Sequence, residues 1–263
     1  MLRSHGWREG VRFADVGCAY GGYLVAAAEA GASEVVGIDV DEDYLRLGKE
    51  LLDAHGVRGR LELGSVDDPA LLARLPTAFD VVTCTDVLEH VADPAITLYM
   101  LSRYMAPGGR IYLTVPNYRC PAWVKSDPHF QIAGITLLPP AQARATAYAI
   151  HPWLPRYSVG EYHPLKWYRQ RLDELGKQTW LLNAAPGTLQ EVAGRLRQDA
   201  IEIRRDINRE THPNLPPELA NALREAVNVW AEELLADVDP VDPDPGQIDE
   251  YGVQTWELLV VRG

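Results

Sequence analysis

The chain has 263 residues, 47% of them hydrophobic, enough for one large domain with insertions and a full apolar core. Its formal net charge of −12 is concentrated between Glu225 and Glu257, where ten acidic residues stand without a single Lys or Arg. A basic stripe with interleaved aromatics is missing, so nucleic acid is disfavoured as a substrate.

No apolar run approaches the roughly 18 to 20 residues of a membrane span, and the opening MLRSHGWREG has no signal-peptide core. Cys18, Cys84 and Cys120 form no CxxC pair and have no histidine at ligand spacing. A cytoplasmic chain with reduced thiols, no metal and no membrane partner is expected.

From Val11 to Val115 short β-rich runs alternate with helical patterns, as in a parallel sheet with crossover helices. Strands are predicted at Val11–Val16, Glu34–Asp39, Arg60–Leu63, Phe79–Cys84 and Arg110–Val115. Asp41 can cap one helix, Asp68-Pro69 and Asp93-Pro94 place proline at first helical positions, and Gly31, Gly56 and Gly108 follow helix ends. Residues 117–160 read as a long connection rich in proline and aromatics. A helix at His163–Leu175 and a sixth strand at Lys177–Asn183 follow. Helical patterns near Thr188–Ala200 and Pro217–Ala236 precede VDPVDPDPG (238–246), which reads as an extended solvated loop, and Val253–Val261 is the last strand. Right-handed crossovers end all parallel strands at one edge, so the first long insertion leaves from that edge and, if the sixth strand runs parallel to the fifth, both insertions rise over one cleft as a lid. The expected division is a core of 1–116, 161–183 and 252–263, an aromatic-rich lid of 117–160 and a helical insertion of 184–251.

The run Asp15-Val16-Gly17-Cys18-Ala19-Tyr20-Gly21-Gly22 follows the first strand and opens a helix. Its glycines allow a tight turn and close approach of a ligand to a helix N-terminus. The spacing is not the GxGxxG of a nicotinamide-binding turn, and a carboxylate at Asp15 suits a ligand with a cationic amine better than a pyrophosphate. Asp39 ends the second strand, 24 positions after Asp15. It can grip a ribose diol, since Asp41 holds the better capping position for the next helix. After the third strand, Gly64-Ser65-Val66-Asp67 reads on its own as a solvated turn ahead of a helix capped by Asp68. The fourth strand runs Phe79-Asp80-Val81-Val82-Thr83-Cys84-Thr85-Asp86 into Val87-Leu88-Glu89-His90-Val91, and Pro107-Gly108-Gly109 comes later.

In this order and spacing, over residues 11–117, the segments resemble the class I S-adenosylmethionine-dependent methyltransferases. The resemblance implies an α/β fold: a doubly wound, mostly parallel seven-stranded sheet with an antiparallel last strand and helical lid insertions. It implies S-adenosylmethionine as cofactor, contacted by Asp15, Gly17, Cys18, Ala19, Gly21, Asp39, Val40, Ser65, Val66, Asp67, Thr85, Asp86 and His90. Two positions depart from the family. Ala19 stands where glycine is common, and Ser65 where an acidic residue commonly faces the adenine. Cys18 also reads as a small filler, and His90 as an orienting residue at a helix start.

Methyl transfer from a sulfonium is an in-line displacement on an electrophile already activated by its charge, so positioning outweighs base catalysis. Where the acceptor is a hydroxyl, candidate bases are His129, His90 and His163. His129 leads, because Ser126-Asp127-Pro128-His129-Phe130 lies just past the fifth strand. Residues 118–168 hold nine of the 22 aromatic side chains, which can wall a flat acceptor. The expected activity is methylation of a small organic molecule or glycan, with oxygen slightly ahead of nitrogen or carbon. The alternative is a non-catalytic scaffold or partner subunit of the same fold. The chain opens almost on its first strand, so a second subunit, as in a homo-oligomer, is allowed for as cover over the cleft.

Overall fold

A computed structural model describes residues 7–75, 78–210 and 214–263. The first apolar run forms β1 (Arg12–Val16), paired in parallel on one side with β2 (Glu34–Asp39) and on the other with β4 (Phe79–Thr85). Beyond β2 lies β3 (Arg60–Leu63), and beyond β4 lies β5 (Met105–Pro116), both parallel to their neighbours. β7 (Thr255–Arg262) runs antiparallel to β6 (Lys177–Leu181), completing the order β3-β2-β1-β4-β5-β7-β6. Six strands are thus parallel and the last is antiparallel, as expected.

Burial explains the composition of each strand. β1, β2 and β4 lie inside the sheet and read as nearly continuous buried runs, whereas the outer strand β6 alternates and the outer strand β3 is exposed at both ends. Phe13, Leu24, Val35, Leu52 and Val81 belong to one apolar cluster of this sheet and its helices.

Asp41 and the Asp-Pro signals act as helix starts. Asp41 accepts the N–H groups of Asp43 (2.9 Å) and Tyr44 (3.1 Å) at the start of α2 (Glu42–Ala54), which follows α1 (Gly22–Glu29). Asp68 caps α3 (Pro69–Arg74), and Asp93 caps α4 (Pro94–Tyr104). Caps of this kind contribute about 1 kcal/mol each.

Several expectations need correction. β5 begins five residues earlier than predicted, because Met105 pairs with Phe79 and the register then shifts before Val81 pairs with Arg110. Gly108, at φ 76°, therefore lies within the strand's span and not behind a helix end. Residues 117–160 are not a structureless connection: they contain α5 (Pro121–Lys125), a 3₁₀ turn (Ile135–Leu137) and α6 (Pro140–Ile150). α7 spans Leu165–Glu174. α8 (Leu189–Arg209), opened by a capping box of Thr188 and Glu191, runs nine residues past its expected end, and α9 spans Pro217–Asp237. The 238–246 segment is no free linker, since Val238 is fully buried and Asp244 caps α10 (Pro245–Tyr251).

The chain divides into two compact units. The first holds the sheet: residues through Val115, Arg169–Leu182 and Glu257–Gly263. The second comprises Pro116–Tyr168 and Asn183–Trp256 and has its own core. There Val192, Leu196, Ile203, Val227, Trp230 and Tyr251 pack in one cluster, and Phe130, Ile135, Ala147 and Leu223 in another. Among the described residues, no helix is long and apolar enough to cross a membrane.

Candidate functional site

The order of strands in the first unit defines where a ligand can sit. From β1 the chain works outward to β3, then jumps back to β4 and works outward the other way. The carboxyl ends of β1 and β4 are thus a topological switch point, where diverging loops leave a crevice. Every cofactor residue named from the sequence lies in this unit, at or just beyond the ends of β1, β2, β3 and β4.

The turn after β1 is held by the strand next to it. Gly17 and Cys18 both donate their N–H groups to Ile38 O, at 2.8 and 3.0 Å. Gly17 has φ 73°, and a Cβ there would overlap Val87 Cγ2, so both conformation and space require glycine. Cys18 fills the space over Gly37, where an added Cβ would lie 2.7 Å from its Sγ. Its thiol is pushed far up by burial and then by Asp15 and Asp39, which leaves it a packing group.

Ala19 adopts φ 42° and donates its N–H to Asp39 Oδ2 at 2.8 Å. The backbone thus keeps the left-handed bend that glycine would take without strain, at a cost of about 1–2 kcal/mol for a residue with a Cβ. Ala19→Gly is expected to raise unfolding stability by about 0.5–1 kcal/mol, because glycine's greater freedom when unfolded returns part of the gain. A urea midpoint that stays put or falls would contradict this account of the turn.

Two carboxylates frame the turn. Asp39 accepts Ala19 N–H with one oxygen and Asp41 N–H (3.0 Å) with the other, which fixes its orientation while leaving further lone pairs on both. Asp15 is 1% exposed and accepts a 2.6 Å hydrogen bond from Thr83 Oγ1. Burial pushes its carboxyl up to about 7; the Thr83 bond opposes this and the charge of Asp39 adds to it. A buried carboxyl with, among the described residues, a single side-chain donor gains from a cationic group brought beside it.

At β4, Asp86 takes φ 55° and is held by Thr114, whose Oγ1 accepts Asp86 N–H and donates to Asp86 Oδ1, each at 2.9 Å. Thr85 pairs with Thr114 in the sheet. After β3, Val66 is buried, Ser65 is exposed and Asp67 Oδ1 accepts Thr97 Oγ1 at 2.6 Å. Val40 projects with 71% exposure. His90 lies in a turn four residues before α4, not at the helix start itself, with its N–H on Val87 O (2.8 Å) and Nε2 3.8 Å from Glu89 Oε1.

Thr83, Thr97, Thr114 and Tyr112 were not singled out from the sequence, yet they orient the acidic residues. Asp15, Thr83 and Tyr112 are register partners side by side on β1, β4 and β5, and Tyr112 donates to Glu257 Oε2 at 2.7 Å. Tyr23, at the start of α1, is pushed up by burial and then by Asp15, Asp86 and Glu257, so these carboxylates surround one corner of the sheet. Only strand pairing could have revealed this row.

His129 and His163 belong to the second unit. His129 Nδ1 lies 3.7 Å from Asp127 Oδ2 and 3.5 Å from the Tyr162 hydroxyl, and Trp123 meets its ring edge-on at 5.9 Å. His163 is stacked on Trp167 at 3.9 Å. Both histidines thus touch aromatic rings, and His129 also has two oxygens near its Nδ1.

A family model described as a methyltransferase domain matches residues 8–226, most of the chain. The chain is similar to a ubiquinone biosynthesis O-methyltransferase of Leptothrix cholodnii (37% identity, covering 41% of this chain and 46% of that protein). A protein of the same name from Methylococcus capsulatus is 34% identical over 47% of this chain and 51% of its own length. The chain thus spans about half the length of the curated relatives it matches. A crystal structure of an S-adenosylmethionine-dependent methyltransferase from Mesorhizobium loti superposes over 99% of this chain and 95% of its own, at TM-score 0.56 and 18% identity, a likeness of fold. With the family model spanning both the switch-point turns and much of the second unit, the chain belongs to the class I S-adenosylmethionine-dependent methyltransferase family.

Proposed function

We propose that the chain transfers the methyl group of S-adenosylmethionine to a small organic acceptor, with oxygen ahead of nitrogen or carbon and a phenol as the first acceptor class. One observation carries the reading: the buried Asp15 and the Asp39-tethered glycine turn stand together at the switch point of the sheet. The donor set fits the cofactor. Asp39 offers two oriented oxygens to a ribose diol, Asp15 a carboxyl to the methionine amine, and the β3 turn the Val66 backbone or Asp67 to the adenine. Thr85, Asp86 and His90 complete the rim from β4. Ala19 and Ser65, which a non-catalytic scaffold would explain, do not favour that alternative, since Ala19 keeps the bend and its bond to Asp39.

When bound, the sulfonium supplies a methyl carbon already activated for displacement. The chain's task is then to hold the acceptor in line and to take its proton. Orientation supplies effective molarities of about 10⁵ to 10⁸ M, against roughly 10²- to 10⁴-fold from a base. We assign the proton to His129 and flat-acceptor recognition to Tyr118, Trp123 and Tyr162, where Tyr118 stacks on Tyr162 at 5.8 Å and Trp123 stands perpendicular to it. The names of the matched relatives support oxygen as the receiving atom. A glycan is the second acceptor class, and a homo-oligomer and a cytoplasmic location belong to the same reading, the last supported by three buried thiols with no disulfide.

The test uses methyl-labelled S-adenosylmethionine with a panel of catechols, sugars and amines. Label on a phenolic oxygen with one S-adenosylhomocysteine released per methyl is expected. Acceptor-independent release, or label on amines alone, overturns the oxygen assignment. His129→Ala is expected to lower kcat roughly 10²-fold with cofactor affinity unchanged, the lower end of a general base's share.

A further inference from the structure

We propose that Thr83 is a positioning residue for the cofactor: its hydroxyl holds the Asp15 carboxylate in its charged form and so sets the pH above which the chain captures the cationic amine of S-adenosylmethionine. This rests on the reading of Asp15 as the amine's partner, and deepens it.

Thr83 interrupts the apolar run of β4, where Val81, Val82 and Cys84 are buried around it. It is itself fully buried, and a hydroxyl in such a place costs free energy unless it is hydrogen-bonded. Packing alone would be served by valine, which has the same branched shape. Parallel pairing makes Thr83 the register partner of Asp15, so both side chains leave the same face of the sheet. Thr83 Oγ1 lies 2.6 Å from Asp15 Oδ1 and 3.3 Å from the carbonyl oxygen of Ala14. One hydroxyl has one proton to donate, and the shorter bond, to a charged acceptor, is the stronger. With Oδ1 tied to Thr83, the other oxygen of Asp15 is left to meet an amine.

The neighbours of Asp15 make this bond the feature that favours the charged form. Burial opposes ionisation and Asp39, at the end of β2, adds a like charge, so the carboxyl is pushed up to about 7 with the Thr83 bond holding it back. Cys18 in the turn after β1, Tyr23 on α1 and Cys84 on β4 are each pushed up by burial first and by Asp15 next, so they keep their protons while Asp15 titrates. Asp86 and Glu257 act on the same Tyr23. When Asp15 carries a proton, the Thr83 hydroxyl can turn to Ala14 O, so neither state strands a donor. On ionisation the proton leaves to solvent and the hydroxyl donates to Oδ1. Removing that donor disfavours the ionised form, moves the ionisation of Asp15 up by about one pH unit, and costs about tenfold in cofactor affinity below it.

The test compares Thr83→Val, Thr83→Ala and Thr83→Ser with the wild type. In the ligand-free chain, ¹³C NMR titration of the aspartate carboxyls, with Asp15→Asn assigning the resonance, is expected to place the wild-type midpoint at about 7. It should lie about one pH unit higher in Thr83→Val and Thr83→Ala and close to wild type in Thr83→Ser, which keeps the hydroxyl. Calorimetry with S-adenosylmethionine at pH 7, in two buffers of different ionisation enthalpy, should count about half a proton released per cofactor by the wild type and about nine-tenths by Thr83→Val. Affinity at pH 6 should be about tenfold lower in Thr83→Val and restored in Thr83→Ser. A midpoint that stays put or falls without the hydroxyl overturns the proposal, as does an equal rise in Thr83→Ser. So does a wild-type Thr83 methyl resonance that fails to titrate with the Asp15 carboxyl, a measurement that needs no folded variant at position 83. Midpoints as expected, with no proton released when the wild type binds S-adenosylmethionine, would instead overturn the reading of Asp15 as the amine's partner, so the two failures are told apart.

Discussion

Asp39→Ala is expected to weaken binding of S-adenosylhomocysteine by about 10²- to 10⁴-fold. The side chain ends β2 with each oxygen already oriented by one backbone N–H, from Ala19 and from Asp41, so a ribose diol meets a carboxylate that has no rotamer left to lose. Two hydrogen bonds to a charged acceptor contribute about 1.5–3 kcal/mol each, and every 1.4 kcal/mol is tenfold in affinity. The substitution also frees Ala19 N–H, which holds the turn, so a second comparison isolates the diol. An analogue lacking both ribose hydroxyls is expected to lose far less affinity on going from wild type to Asp39→Ala. Equal losses for the two ligands would reassign Asp39 to scaffolding of the turn alone.

The second large effect is a pH dependence centred on Asp15. Its carboxyl, near 3.8 when unfolded, is pushed up to about 7 by burial. The folded chain therefore binds a proton that the unfolded chain has released across that window. Stability from this group is fully present below about pH 4 and is lost as pH rises toward and through 7, by roughly 4 kcal/mol at full ionisation. A cationic amine reverses the preference, since it binds beside the ionised form. Affinity for S-adenosylmethionine should rise close to tenfold per pH unit up to about 7 and fall again above about 8 as the amine itself deprotonates, while methylthioadenosine, which lacks the amine, should show no such slope. Asp15→Asn is expected to abolish the slope, to raise the thermal midpoint of the ligand-free chain at pH 8 and to weaken the cofactor by about 10²- to 10³-fold through loss of a buried ion pair. A slope that survives in Asp15→Asn, or one shared by methylthioadenosine, would place the titrating group elsewhere.

The parts of the site legible in the sequence were those made by contiguous residues. Asp15 and the glycines lie on one turn, Asp39 ends a strand recognisable by its apolar run, and Asp41, Asp68 and Asp93 stand directly before the helices they cap. What was missed depends on register. Thr83 reaches Asp15 only because β4 pairs with β1 at that position, and Thr114 reaches Asp86 only through the β4–β5 pairing. No spacing along the chain encodes either. The 238–246 segment departs from a loop for a different reason. Asp244-Pro245 is the same cap-and-proline signal as Asp68-Pro69 and starts α10, but two preceding Asp-Pro pairs without helices masked it. In the 117–160 segment, prolines at 121 and 140 open helices that a count of prolines reads as breaks.

The carboxyl ends of β1, β2 and β4 suit a sulfonium-type nucleoside and not a dinucleotide. Calorimetric titration of the chain at pH 8 with S-adenosylhomocysteine, followed by a challenge with a nicotinamide dinucleotide, tests it directly. Saturation at one S-adenosylhomocysteine per chain, with no displacement by the dinucleotide, is the predicted result. An absence of saturable heat, or displacement by the dinucleotide at comparable concentration, would contradict it.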